Sequence, residues 1–169
     1  MRLPALRLAL LSAFICSAWA AASASAASKT FVVTSAAAGG PLDQGSLTWA
    51  IYQANYAGAD INYIHFNVPG QAGEIEITLT EQLYVARPTV LDATTQPGYA
   101  GQPRIRINCN GFASGFTIVP PGGGLPGGAG STIQGFRIIN FSSNAITIFG
   151  GANSNTVASN YIGFAPSGG

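Results

Sequence analysis

Residues 131–163 read STIQGFRIINFSSNAITIFGGANSNTVASNYIG. Their apolar residues come in groups of two to four, and Asn, Ser or Gly cuts off each group. Groups this small cannot make a helix, which needs about 10 residues or more of apolar periodicity. They are also too broken for a hairpin sheet with longer strands and two-residue turns. The stretch repeats as well: Thr132-Ile133 and Thr156-Val157 stand 24 positions apart. Gly-Phe-Arg-Ile-Ile at 135–139 returns loosely as Asn-Tyr-Ile-Gly-Phe at 160–164, with Ala-Ile-Thr-Ile-Phe at 145–149 between them. A period of roughly 20 to 50 residues that holds several small strands is a solenoid signature.

The fold class expected is all-β, a parallel β-helix. Each coil would be a triangle of short strands with apolar side chains inward. Asn or Gly would sit at the corners, where left-handed backbone angles are tolerated. One coil cannot hold itself, because burying an Ile or Phe is worth about 1.5–3 kcal/mol and ordering each residue costs about 1–2 kcal/mol. Stacked coils bury one another and ladder their backbones. An antiparallel sandwich leaves the 24-residue interval unexplained.

The rest of the chain fits strands and turns around one helix. TFVVTS at 30–35 is a β-branched strand, and AAAGGPLDQG is a loop. Leu47, Ala50, Ile51 and Ala54 then fall at helical spacing, with Ser46 as N-cap and Gly58 as stop, so a short helix is expected at about 46–58. A β-helix has an open end with unpaired edges, and this helix would lie across it as a cap. In 60–70, Ile64, Phe66 and Val68 share one face and Tyr63, His65 and Asn67 the other. In EIEITL, Glu74 and Glu76 lie opposite Ile75 and Ile77. LYVA, TVLD and RIRIN follow as further short strands. VPPGGGLPGGAG at 119–130 reads as a domain linker or a surface excursion. The excursion is preferred, because similar strands lie on both sides.

The amino terminus reads as a targeting signal. Arg2 and Arg7 precede an apolar run at 8–20, and small-residue sites follow, the last at Ala24-Ser25-Ala26. Cleavage is expected after Ala26, with Ala20 to Ala24 as alternatives. An uncleaved anchor would need about 20 apolar residues. Ile15 before Cys16 argues against lipidation. The expected domains are a signal peptide at 1–26 and the β domain at 27–169, and the expected location is secreted or on the cell surface.

Without the signal, Lys29, Arg87, Arg104, Arg106 and Arg137 stand against six acids, a balance of −1. Nothing in that balance draws the protein to nucleic acid or an anionic membrane. Charged residues are only 8% of the chain, against the usual quarter, and Gly numbers 22. A chain this apolar, with net charge near zero, folds. Cys109 is the one cysteine after cleavage, so no internal disulfide forms, and a buried small hydrophobe describes it better than a nucleophile.

Three segments carry a family resemblance in order. GSLTWAIYQANYAGADINYIHFNVPG resembles the amino-terminal module of secreted bacterial parallel β-helix proteins, written G-S-L-R-x-A-I-x-x-A-N and followed by an aDtI-x-F strand. LDATTQPGYAGQPRIRIN resembles their dGTTQPGY segment, and NTVASNYIGF their N-T-I-x-x-N-Y-I-G coil. Thr48-Trp49, Ala93 and Phe164 depart from those patterns. The resemblance implies a right-handed, pectin-lyase-like β-helix in exported adhesin-like or autotransporter-passenger proteins. It implies further coils too. The chain ends at Gly168-Gly169 in a coil-like stretch, so a truncated fragment of a longer protein is expected.

The chemistry legible in the residues is sparse. Glu74 and Glu76 can be a glycosidase couple or a solvated strand face, and the solvated face is preferred. Lyases of this architecture resemble one another in using an Arg or Lys base beside calcium-binding Asp residues. Arg104 and Arg106 share a face and can bind an acidic sugar, but Asp43, Asp60 and Asp92 are scattered. Asp92 reads as a turn former. His65 has no elbow nucleophile near it and cannot build a zinc site alone. The Gly-rich loop lacks the Lys-Ser/Thr of a phosphate loop. Tyr52, Tyr56, Tyr63, Tyr84 and Tyr99 can stack on sugar rings where they align outward. Regular Thr-x-Thr arrays for ice binding are missing.

The expectation is therefore a non-catalytic exported scaffold, a stalk or adhesin-like module that binds polysaccharide or cell-surface glycans. No catalytic, cofactor or metal residues are assigned. Arg104, Arg106, Glu74, Glu76 and Tyr63 are the candidate ligand contacts. The partners expected are such glycans and the export machinery. The alternative is the leading part of a polysaccharide lyase or glycoside hydrolase whose catalytic coils lie elsewhere.

Overall fold

The computed structural model describes residues 26–70 and 72–163. The expected signal peptide therefore lies outside the described residues except for Ala26, as do Phe164 and Gly168-Gly169. Among the described residues the chain is mostly β, with every named strand in one of three parallel sheets.

The first sheet holds β1 (Lys29–Val33), β2 (Asn62–Phe66), β5 (Thr89–Asp92), β8 (Thr132–Gln134) and β11 (Thr156–Ala158), in that order. The second runs β3 (Ile75–Thr78), β6 (Ile105–Asn108), β9 (Phe136–Ile139), β12 (Tyr161–Ile162). The third runs β4 (Leu83–Val85), β7 (Ser114–Ile118), β10 (Asn144–Ile148). From β2 onward the chain visits first, second and third sheet in turn and then returns to the first.

Burial alternates in β2, β3, β5 and β6, although β7 is buried throughout, and the strands pair in register. In the first sheet Phe31, Ile64, Leu91, Ile133 and Val157 form one inward row. In the second, Ile77, Ile107, Ile138 and Ile162 form another. Phe66, Phe136 and Phe116, one from each sheet, meet in the centre. The Phe136 ring centroid lies 5.4 Å from that of Phe66 and 5.1 Å from that of Phe116. Such pairs add about 0.5–1.5 kcal/mol beyond the burial of their area.

Helix α1 (Leu47–Tyr56) starts where Ser46 Oγ accepts from the Trp49 amide at 3.1 Å. Gly58 follows the helix with φ +71°. Leu47, Ala50, Ile51 and Ala54 are buried, and the helix packs on β1, β2 and β4. No basic residue stands in its last turn, yet its final carbonyls are met from afar. Asn62 Nδ2 donates to Ala54 O, Arg87 Nε to Asn55 O and Lys29 Nζ to Ala57 O. Orphan carbonyls at a helix C-terminus favour such donors and cations.

Two polar clusters hold the turns. Asp92 Oδ1 accepts from the Thr94 amide at 2.9 Å and caps a single 3-10 turn, as a turn former does. Thr95 Oγ1 accepts from the Phe66 amide. Gln96 donates to Val68 O and accepts from Val68 N, so its amide imitates a neighbouring strand. Gly135 (φ +77°) passes so close to this turn that a Cβ there would lie 2.7 Å from Thr94 Cγ2.

In the second cluster, left-handed backbone angles are not confined to Asn and Gly. Asn110 and Asn140 do adopt left-handed angles, but so do Ser154 and Ser159. The neighbouring Asn155 and Asn160 instead bridge successive passes of chain. Asn155 accepts from the Ser131 amide and Asn160 from the Phe136 amide, each across a sequence separation of 24. A side-chain amide both donates and accepts, so each Asn also donates to a carbonyl, Ala152 O or Ile133 O.

The stretch 119–130 connects β7 to β8. Its Gly127 amide donates to Ala86 O and its Gly128 amide to Val119 O. Gly128 lies against Val85 O with no room for a Cβ.

Candidate functional site

The strands IEIT, IRIN and FRII lie side by side in the second sheet. Their second positions, Glu76, Arg106 and Arg137, form one outward row that continues to Tyr161. Glu74, just before β3, joins it. Arg106 Nη1 donates to Glu74 Oε2 at 2.8 Å, while Arg106 Nη2 lies 2.5 Å from Glu76 Oε2. Arg137 Nε lies 2.6 Å from Glu74 Oε1, an ion pair too oblique for a hydrogen bond. The Arg137 guanidinium stands over the Tyr161 ring at 5.8 Å.

Neutral donors complete the row. Glu76 Oε1 accepts from Asn108 Nδ2 and from Thr78 Oγ1, both at 3.0 Å. Asn108 Oδ1 in turn accepts from Asn140 Nδ2 at 3.0 Å. The Asn108 hydrogen bond, with help from Thr78 and Arg106 and against some burial, holds the Glu76 carboxyl below the usual carboxylate range.

The sequence reading of Glu74 and Glu76 as a solvated strand face is therefore corrected. Both are half-buried and bridged by one guanidinium. Arg106, read as an exposed flank of Ile105 and Ile107, is half-buried, with both terminal nitrogens on carboxylates and its Nε without a hydrogen-bond partner among the described residues. Arg137 was not singled out. Aligning the three tetrapeptides by their second residue would have found it.

Arg104 precedes β6 and packs its guanidinium against Gly98, while its carbonyl accepts from the Ile75 amide at 2.7 Å. Tyr63 is not brought to this face. It sits on the first sheet beside His65, ring centroids 6.0 Å apart. Cys109 is free and fully buried, and burial pushes its thiol up to about 11.

The geometry restricts the chemistry of the ladder. A general acid for glycoside cleavage needs a raised carboxyl pKa, and Glu76 moves the other way. An Arg base needs its guanidinium free to reach a substrate, whereas Arg106 is held by both Glu74 and Glu76. Glu74 and Glu76 balance Arg106 and Arg137 in charge. Among the described residues no three of His, Cys, Asp and Glu gather as a metal donor set. No helix among them is long and apolar enough to cross a membrane.

Compared with family models, curated proteins and solved structures, the chain finds no significant match.

Proposed function

We propose that the chain is a right-handed parallel β-helix that serves as a non-catalytic, exported binding scaffold, a surface stalk or adhesin-like module for carbohydrate. The observation that carries this reading is the cyclic passage of the chain through three parallel sheets, with inward rows apolar and outward rows mostly polar, Val32 and Val90 excepted. Parallel crossovers are right-handed in about 98% of cases, which supports the hand. The self-neutralised Glu74–Arg106–Glu76–Arg137 row supports the scaffold over the enzyme, because it ties up the groups an enzyme would need free. Export rests on the Arg2/Arg7 and 8–20 pattern of the leader.

The test is a pair of assays on the purified protein. A scaffold shows a cooperative β melt by circular dichroism, retention on at least one insoluble polysaccharide, and no product. Release of unsaturated uronides from polygalacturonate with calcium, or of reducing sugar from neutral glycans, would instead favour the lyase or hydrolase reading.

A further inference from the structure

Outside the ladder, three tyrosines gather in one place. Tyr63 keeps company with His65, but Tyr52 and Tyr56 on α1 and Tyr84 on β4 meet at the helix–strand junction. Tyr52 and Tyr84 flank a shallow cavity of about 110 Å³, floored by Ile51 and rimmed by Glu81 and Gln82. It has room for a few waters and is smaller than a drug-sized pocket. Tyr56 packs on Tyr52 with ring centroids 4.8 Å apart.

All three tyrosines are more than a third exposed, with Tyr56 the most open at 62%. The apolar stripe of α1 already faces the core through Leu47, Ala50, Ile51 and Ala54, so Tyr52 and Tyr56 lie on its solvent side. Helix stabilisation by an i, i+4 aromatic pair accounts for those two. It does not account for Tyr84, which arrives from another element. The junction is rigid: Asn55 Nδ2 donates to Tyr84 O and Asn55 Oδ1 accepts from Ala86 N, both at 2.8 Å. Strand and helix are thereby locked at the point where the rings open outward. Gln82 is held by its donation to Thr117 Oγ1. Glu81 and the three phenol hydroxyls have no hydrogen-bond partner among the described residues and face solvent.

We propose that this cleft binds one ring of a neutral polysaccharide, with a pyranose face on Tyr84 or Tyr52 and sugar hydroxyls donated to Glu81. Exposed phenols combine an apolar face with a wet edge, which suits a ring that has C–H groups on one face and hydroxyls around it. An apolar peptide would leave Glu81 and Gln82 facing hydrocarbon. A uronate would meet the Glu81 carboxylate, and no cation lines the cavity. The proposal keeps the carbohydrate class of the reading above but moves the contact away from Arg104 and Arg106.

The test is titration of the purified protein with cellohexaose, mannohexaose and trigalacturonate, followed by calorimetry and by NMR of the tyrosine rings. At least one neutral hexasaccharide should bind and shift the Tyr52 and Tyr84 signals. Tyr52→Ala and Tyr84→Ala should each weaken binding about tenfold or more while the melt stays cooperative, with only a small shift for Tyr52→Ala from its lost pairing with Tyr56, and Tyr84→Phe should keep most of the affinity. The proposal is overturned by a cooperatively melting protein that binds neither neutral sugar. It is equally overturned if binding survives both alanine variants, or if only trigalacturonate or an apolar peptide probe binds. Binding that maps to the Glu74–Arg106 face sinks the cleft and leaves the carbohydrate reading standing. Lack of a cooperative melt sinks the scaffold, and the cleft goes with it, because the cleft needs α1 docked on β4.

Discussion

At one end of the stacked sheets α1 lies on β1, β2 and β4, and the inward Val33, Leu83, Val85, Ile75 and Ile77 are buried, with Phe31 partly buried. The free edge of β4 is closed as well, because the Asn55 amide supplies a donor and an acceptor to Tyr84 O and Ala86 N. At the other end stand β10, β11 and β12. Their inward positions are Ile148, Val157 and Ile162, paired in register with Ile118, Ile133 and Ile138 of the preceding layer. The preceding three are fully buried, whereas Ile148, Val157 and Ile162 are 45%, 44% and 47% exposed among the described residues. Residue type, alternation and register are nearly the same. The difference is whether another layer or the helix lies on top. In stacked parallel sheets, an inward position is buried by its neighbours along the stack and not by its own strand.

Substitution should reproduce that contrast. Ile138→Ala should cost about 2–5 kcal/mol by urea unfolding, because it opens a cavity in close packing. Ile162→Ala, one layer on, should cost no more than about 1 kcal/mol, as half-exposed positions do. Equal losses would break the comparison. Asn55→Ala should come next, at about 2 kcal/mol, since it strands a buried amide and a part-buried carbonyl at the β4 edge. The same variant should raise hydrogen exchange at Ala86 without touching β12.

Ser46→Ala removes the N-cap and a long hydrogen bond to Gly40 O, and should lower stability by about 1 kcal/mol. Its effect should be confined to the helix end, read as faster exchange at the Trp49 amide. The smallest effect lies on the outer row, which runs past both ends alike. Glu76 has its folded pKa lowered from the usual 4.5, chiefly by the Asn108 hydrogen bond. A depressed carboxyl contributes stability that is fully present above its unfolded pKa and is lost as pH falls through the folded value. Stability should therefore decline as pH drops below about 4.5, and Glu76→Gln should flatten that decline in melts taken from neutral pH down to acid.

Much of the local structure was legible. The alternation of Ile64, Phe66 and Val68, and of Ile75 and Ile77 against their glutamates, marks the buried faces that the structure displays. Ser46 marked a helix start, and Thr132-Ile133 does stand beside Thr156-Val157. The candidate site was legible only in pieces. Glu74, Glu76 and Arg106 were named without their pairing, because a sequence does not say which strand lies next to which. Arg137 joins them through register with Arg106, a relation that crosses two intervening strands. Tyr63 was grouped with them on residue type alone and lies on another sheet. The grouping of Tyr52 with Tyr84 needs the helix docked on a distant strand.

The sequence by itself determined the strand periodicity, the helix and its cap, and the supply of Asn, Ser and Gly for sharp corners, because these depend on contacts within a few residues. The tertiary structure alone decided which carboxylate meets which guanidinium, which asparagine stitches one pass to the next, and which isoleucine is buried. Those outcomes depend on neighbours that stacking brings within a few ångströms, at separations of 24 to 32 residues for Asn155 with Ser131 and for Arg106 with Glu74.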